Sequence, residues 1–271
     1  MQLLLVDALN LIRRVYAAQA GEDGPQRAED GRTGSQQSLG RALREAQPSH
    51  AVAVFEGAGS TWRHQIFPAY KSAHKPMPEA LRVALPSYQQ AFAELGVPSF
   101  DSPGVEADDV IATLATKIAG AGGQALILST DRFFLQLLSS SIAVRDHFGK
   151  RELDAAYVRS KFGVPPAQLV DYLALTGDGS NDIPGVRGIG AKSASRLLAE
   201  ISSIDELLAA ALSSEEPATQ SPSALTPALT AKLRAGEESA RLSLRLCRLR
   251  TDLELGLNLQ SLRFVAATQE T

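Results

Sequence analysis

The 271-residue sequence predicts an α/β fold: a mostly parallel central sheet with helices, followed by a mainly helical C-terminal part. Three observations carry this. Short apolar runs recur at residues 3–6, 51–55, 125–128 and, more weakly, 142–144, the pattern of strands buried on both faces. Longer stretches with helical spacing lie between them; Ala107, Ile111, Leu114 and Ile118 share one helix face. From about Asp154 the short runs stop and only helical spacing continues.

In chain order, residues 3–6 predict the first strand. Residues 20–37 are polar and carry Gly21, Gly24, Pro25, Gly31 and Gly34, which predicts a mobile loop. Residues 63–86 are rich in basic residues and proline and read as an excursion from the sheet. A glycine-rich stretch at 177–190 leads into a helix over 191–201. Residues 213–227, rich in Ser, Pro and Ala, predict a flexible connection. Helical spacing resumes over 231–250, with Leu242, Leu246 and Leu249 on one face. The expected organisation is a sheet-bearing part over 1–155 and a helical part over 156–271.

With 44% hydrophobic and 21% charged residues, a wholly disordered or collagen-like chain is excluded. The single cysteine, Cys247, excludes a disulfide framework and a Cys-rich zinc site. The run at 3–6 is too short for a signal segment and no run reaches membrane-spanning length, so a soluble, cytoplasmic protein is expected. The net charge of −3 points to no partner by itself, so that question rests on local patterns.

Three apolar runs end in an acid: Asp7, Glu56 and Asp131. Ligands of open parallel sheets sit beyond the carboxyl ends of the strands, where these acids would meet. Glu106, Asp108 and Asp109 form a further cluster at the start of a predicted helix. Any one of them serves as an ordinary helix cap. Three acids in four positions exceed what capping needs, and crowded carboxylates repel unless a cation holds them. Oxygen ligands without Cys or His point to Mg²⁺ or Mn²⁺, and hence to phosphate-ester chemistry. Asp178 and Asp182 bring the acids that could face one site to eight; setting them aside moves the formal charge from −3 to +5, a basic remainder suited to a phosphate backbone.

Arg63, His64, Lys71, His74, Lys75 and Arg82 lie in a segment that also holds Trp62, Phe67 and Tyr70. Such interleaving either tracks a single strand by charge and stacking or is an ordinary solvated loop. Gly185, Gly188 and Gly190 precede Ala191, Lys192 and Ser193. A glycine turn before a helix start either cradles phosphate or simply joins two helices. It is not a nucleotide P-loop, because the GxxxxGK[ST] spacing is absent.

The sequence resembles the 5′ nucleases, which include flap endonucleases and the 5′-nuclease domain of bacterial DNA polymerase I. The motifs appear in family order: Leu5-Val6-Asp7-Ala8-Leu9-Asn10, Ala69-Tyr70-Lys71, Pro76-Met77-Pro78, Glu106-Ala107-Asp108-Asp109, Ser129-Thr130-Asp131 and residues 183–194. Asp7-Ala8-Leu9-Asn10-Leu11-Ile12-Arg13-Arg14 and Trp62-Arg63-His64-Gln65 are closest to the free-standing, exonuclease-IX type of bacterial enzyme.

This resemblance implies a PIN-like 5′-nuclease core over 1–155 with an arch over 63–86, and a helical DNA-binding part over 156–271. It implies a helix–three-turn–helix element with its hairpin at 183–194. The implied activity is a two-metal, Mg²⁺-dependent, structure-specific flap endonuclease acting on branched DNA with a free 5′ single strand; Mn²⁺ can substitute. The implied catalytic residues are Asp7, Glu56, Lys71, Glu106, Asp108, Asp109, Asp131 and Asp178, and the metal ligands Asp7, Glu106, Asp108, Asp109, Asp131, Asp178 and Asp182. DNA contacts are implied for Arg63, Lys71, His74, Lys75, Gly188, Ile189, Gly190, Ala191, Lys192 and Ser193. A potassium ion held by backbone carbonyls is implied at Leu175, Thr176, Pro184, Val186 and Ile189.

The sequence departs from the family at the second metal. The usual Asp-Lys-Asp reads Asp131-Arg132-Phe133, and Gly-Asp-x-x-Asp-Asn reads Gly177-Asp178-Gly179-Ser180-Asn181-Asp182. A second ion is therefore expected to bind less tightly. The rival readings are a flap-DNA-binding protein with weak or absent nuclease activity and an RNA-cleaving PIN-like nuclease; the arch and hairpin segments favour the flap enzyme.

Overall fold

The computed structural model describes residues 1–213 and 223–265. Strands β1 (Gln2–Asp7), β2 (His50–Val54), β3 (Ser99–Phe100), β4 (Gln124–Leu128), β5 (Ile142–Asp146) and β6 (Arg151–Glu152) form one sheet in the order β3-β2-β1-β4-β5-β6. All neighbours pair in parallel except β5 and β6, which are antiparallel. The chain builds outward from β1 through β2 to β3, then returns to place β4 on the other flank of β1. The carboxyl ends of β1 and β4 therefore flank the point where strand order reverses, the natural binding crevice of such a sheet.

Alternation along each strand feeds two cores. Leu3, Leu5, Val52, Val54, Ala125 and Ile127 pack under α5 (Ala107–Gly120) and the C-terminal helices. Leu4, Val6, Ala51, Ala53, Leu126 and Leu128 pack under α1 (Ala8–Ala18), α2 (Pro25–Ala46) and α4 (Glu79–Glu94). A short helix, α3 (Trp62–Ile66), precedes α4. The C-terminal part consists of α6 (Ala155–Phe162), α7 (Leu169–Thr176), α8 (Ala191–Glu200), α9 (Ile204–Ser213), α10 (Pro227–Ala235) and α11 (Glu237–Cys247).

Three expectations are corrected. Most of the stretch expected as a mobile loop at 20–37 belongs to the 22-residue helix α2. Its glycines make room for neighbours instead of breaking the helix: a Cβ on Gly31 would lie 2.5 Å from Tyr88 Oη, and one on Gly34 2.9 Å from Val15 Cγ1. The excursion at 63–86 is divided: α3 and α4 pack on the core, and in the connection at 67–78 Tyr70 is buried while residues 72–76 are exposed. The single helix over 231–250 is two, separated at Gly236, where a Cβ would meet Val186 Cγ1 at 2.8 Å. Of the expected connection at 213–227, residues 214–222 lie outside the described residues.

Candidate active site

Asp7, Asp108 and Asp131 come near enough to raise one another's pKa, and among the described residues none of the three forms an ion pair, although the charge of Lys71 reaches Asp108 and Asp131. Asp7 ends β1 and caps α1: Oδ1 accepts from Asn10 N at 3.2 Å, and Oδ2 accepts from Ser129 Oγ at 2.7 Å. The same Ser129 hydroxyl accepts from Asp131 N at 3.1 Å, so one serine ties together the ends of β1 and β4. Asp131 caps the 3₁₀ turn Arg132–Leu137 by accepting from Phe133 N at 2.8 Å. Asp108 lies in the first turn of α5 and makes no hydrogen bond or ion pair with any described residue. Glu56 follows β2 with an exposed side chain whose Oε2 accepts from Ala107 N at 3.3 Å.

These groups resist ionisation. Loss of surrounding water pushes Asp7 up to about 6, and the charges of Asp131 and Glu56 add to it. Asp108 is raised well above the ordinary range by burial, then by Asp131, Asp7 and Glu56. Asp131 is raised by burial and then by Asp178; Glu56, though its side chain reaches the surface, is raised by the protein around its carboxyl and then by the Glu106 and Asp109 charges. Among the described residues no three acidic, His or Cys side chains stand close enough together to hold a metal ion as they are placed. The cluster is thus open, oxygen-only and short of positive charge, a donor set that fits a hard divalent cation able to draw the carboxylates together.

Glu106 and Asp109, also expected among the metal ligands, are held by Arg63 in this structure. Arg63 is 1% exposed and sits between them. Its Nη1 donates to Glu106 Oε1 at 3.0 Å and to Asp109 Oδ2 at 2.9 Å, and its Nη2 donates to Asp109 Oδ1 at 2.9 Å. Asp109 also accepts from Trp62 Nε1 at 2.8 Å and Arg250 N at 3.0 Å, which leaves its carboxylate saturated and without solvent contact. Glu106 further accepts from Thr61 Oγ1, Tyr70 Oη and Lys71 Nζ at 3.0, 3.1 and 2.7 Å. Burial would raise Glu106; the Lys71 and Arg63 charges overcome it and hold the group at about 2. Arg63 cannot contact DNA from this position. It anchors α3 to α5 and, through Leu246 O and Arg248 O, to the end of α11.

The second-metal residues are also committed. Asp178 is 2% exposed and pairs with Arg132, while Asn181 Nδ2 donates to its other oxygen at 3.0 Å. Burial favours the neutral acid, but the Ser180 hydrogen bonds and Arg132 lower its pKa below the usual value. With its charge balanced and an amide beside it, this group does not fit a further divalent ion. Asp182 turns away: Oδ2 accepts from Ala73 N at 2.8 Å, and its left-handed φ of 56° matches the φ of 55° at Lys71 across the same junction. Lys71 N donates to Asn181 O at 3.0 Å and His74 Nε2 bonds Ser180 O at 2.6 Å, so the outward loop is clasped to residues 180–182.

His74 and Lys75 are exposed on that loop, and Lys71 lies between it and the acid cluster. Gly188, Gly190, Ala191 and Lys192 are exposed at the entrance to α8, with Ser193 half-buried; Ile189 is buried. The hairpin is rigidly built. Gly185 has φ +66° and a Cβ there would lie 2.3 Å from Gly177 N, while Gly185 N donates to Ser243 Oγ at 3.0 Å. Among the carbonyls expected at a potassium ion, Leu175 O already accepts from Val186 N at 2.8 Å and Val186 O from Ile189 N at 3.0 Å. Each keeps a second lone pair. Sequence reasoning missed Ser129, Thr61 and Tyr70 as supports and Arg132 as a charge partner; the Asp131-Arg132-Phe133 departure was the available signal for the last.

Comparison with known proteins gives the family. Residues 2–163 match the family model "5′-3′ exonuclease, N-terminal resolvase-like domain" and residues 164–270 match "5′-3′ exonuclease, C-terminal SAM fold". The chain is 45% identical over 263 residues to flap endonuclease Xni of Pectobacterium carotovorum subsp. carotovorum (strain PC1), covering 96% of this chain and 94% of the relative. It is 42% identical over 272 residues to flap endonuclease Xni of Vibrio cholerae, covering 100% and 99%. Its fold superposes on the T5 5′-exonuclease with bound zinc at TM-score 0.71 and 23% identity, covering 93% and 90%. With the catalytic core of Rad2 in complex with DNA substrate the TM-score is 0.60 at 15% identity, covering 98% and 82%. The chain belongs to the 5′-3′ exonuclease family and is a nuclease.

Proposed function

We propose that this nuclease is a Mg²⁺-dependent, structure-specific flap endonuclease that hydrolyses phosphodiester bonds in branched DNA with a free 5′ single strand, with Mn²⁺ able to replace Mg²⁺. The observation that carries the reading is the open Asp7–Asp108–Asp131 cluster at the strand-order reversal, with Glu56 at its lip and Lys71 beside it. Relatives more than 40% identical over nearly the whole chain bear the name flap endonuclease, which supports the substrate class.

Asp7, Asp108 and Asp131 would hold the divalent ion, which supplies an activated water and polarises the phosphodiester. The protein's own groups do the rest. Ser129 fixes the two strand-end acids in one geometry. Lys71, anchored on Glu106 and 22% exposed, brings an ammonium to the approaching phosphate. His74 and Lys75 give the loop the charge to follow a single strand. Gly188, Gly190 and Ala191 let duplex phosphates reach the N-terminus of α8, where Lys192 and Ser193 add a charge and a hydroxyl. Specificity then comes from junction shape and not from base identity. The carbonyls of Leu175, Thr176, Pro184, Val186 and Ile189 are the potassium ligands in this reading; replacing K⁺ by Li⁺ at matched ionic strength is expected to weaken duplex binding. In this reading the protein works on the cell's own DNA in the cytoplasm; among the described residues no helix is long and apolar enough to cross a membrane.

The test is cleavage of a labelled 5′-flap duplex across a Mg²⁺ titration, with binding measured in parallel. Cleavage near the junction that requires Mg²⁺ is expected. Tight flap binding with no cleavage at any Mg²⁺ concentration would make the protein a flap-DNA binder.

A further inference from the structure

Arg132 is placed where its charge has a specific use. It begins the 3₁₀ turn Arg132–Leu137 directly after Asp131, and its Nη2 pairs with Oδ1 of Asp178. Asp178 is 1% exposed at its side chain, whereas Arg132 is 36% exposed, so the pair sits at the wall of the site with the acid inside. The remaining bonds to Asp178 come from neutral groups: Ser180 N at 2.9 Å, Ser180 Oγ at 2.5 Å and Asn181 Nδ2 at 3.0 Å. A carboxylate this buried needs one cation, and among the described residues the arginine is its one ion-pair partner. Phe133, the next residue, is 1% exposed in the apolar core and adds no ligand.

We propose that Arg132 is a built-in cation that stands in for a second divalent ion, so that the protein binds divalent metal through the Asp7–Asp108–Asp131 cluster and not through Asp178. This rests on the proposed metal-dependent hydrolysis. A guanidinium cannot lower the pKa of a bound water as a metal does, but it is permanently charged and offers five donors.

The experiment counts Mn²⁺ bound to the full chain by electron paramagnetic resonance titration, with folding of each variant checked by near-ultraviolet circular dichroism. Asp108→Asn is expected to lose Mn²⁺ binding. Asp178→Asn is expected to leave both stoichiometry and affinity as in the wild type. Arg132→Ala is expected to take up an additional, weaker Mn²⁺ per chain, and Arg132→Ala/Asp178→Asn to lose it again. Arg132→Gln, which keeps a donor for Asp178 without the charge, carries the same expectation should the alanine variant not fold. Reduced Mn²⁺ binding in Asp178→Asn, or no additional ion in the folded charge-removing variant, would overturn the proposal. Wild-type protein that binds Mn²⁺ as expected but leaves flap DNA uncut would instead overturn the flap-endonuclease reading and leave the ion count standing.

Discussion

Asp108 and Asp109 are neighbours in the chain and opposites in chemistry, and helix geometry is the reason. Successive positions on α5 point about 100° apart, so one carboxylate meets the open cluster and the other meets Arg63 in the core. Asp108→Asn is expected to abolish flap cleavage while leaving urea stability and metal-free flap binding nearly unchanged. Asp109→Asn is expected to cost about 3 kcal/mol or more in urea unfolding, because it leaves part of the buried Arg63 charge uncompensated. Equal stability of the two variants would return Asp109 to the solvent-facing set. Asp7 gives a pH dependence of definite sign. Its folded-state pKa near 6 lies above the ordinary 3.8, so the native state binds this proton more tightly than the unfolded chain does. Without metal, stability is therefore lost as pH rises from about 4 to about 6, by about 3 kcal/mol for this group alone. A bound cation favours the ionised form and cancels the loss. In EDTA, the wild-type Tm is expected to fall more between pH ~5 and ~7 than that of Asp7→Asn, and Mn²⁺ to restore it at the higher pH. Parallel Tm curves for the two proteins would show that Asp7 is not strained.

The strands and α5 were legible because their residues answer to one partner, the sheet core: uninterrupted apolar runs are what two covered faces demand. Helix α2 was not legible, because its glycines carry the local signature of a loop while their cause lies in other elements. Gly31 faces Tyr88 and Tyr16, and no pattern within residues 25–46 announces those rings. The same blindness hid the roles of Arg63 and Arg132. Basic residues near aromatics look alike until the fold shows which are buried, and their partners Glu106, Asp109 and Asp178 lie more than 40 residues away. The acids at the strand ends were legible as a set, but their division into open and saturated carboxylates was not. Helix α2 offers a test with its own control. Gly31→Ala would put a Cβ 2.5 Å from Tyr88 Oη and 3.2 Å from Tyr16 Cδ2. The helix-propensity gain of about 1 kcal/mol is then outweighed by overpacking of about 1–3 kcal/mol. Gly40→Ala meets nothing nearer than 3.5 Å and is expected to stabilise by about 0.5–1 kcal/mol. Opposite signs in urea unfolding are the expected result; two stabilising alanines would mean that α2 does not pack closely on α1 and α4.

Over the whole molecule, the net charge of −3 conceals a separation of roles. Acids concentrate where strand order reverses, and two further groups of cations lie on the 67–78 loop and at the start of α8. The two basic regions have different neighbours and should read different parts of a branched substrate. Lys192 lies on α8, beyond a hairpin held by Ser243, Ser239 and Lys232 from the last two long helices. A contact from so rigid a support to a duplex phosphate is indifferent to whether a flap is present. Lys71 touches both the loop and Glu106, so its phosphate would be one near the junction. Lys192→Ala is therefore expected to weaken flap and unbranched duplex binding by the same factor, and to reduce the slope of log K against log salt by about one for each. Lys71→Ala is expected to weaken flap binding while leaving unbranched duplex nearly untouched. Measured side by side from low to physiological salt, these variants separate a general duplex grip from a junction-specific one. A flap-selective loss in Lys192→Ala, or a uniform loss in Lys71→Ala, would mean that the two basic regions act as one surface and that junction shape is read elsewhere.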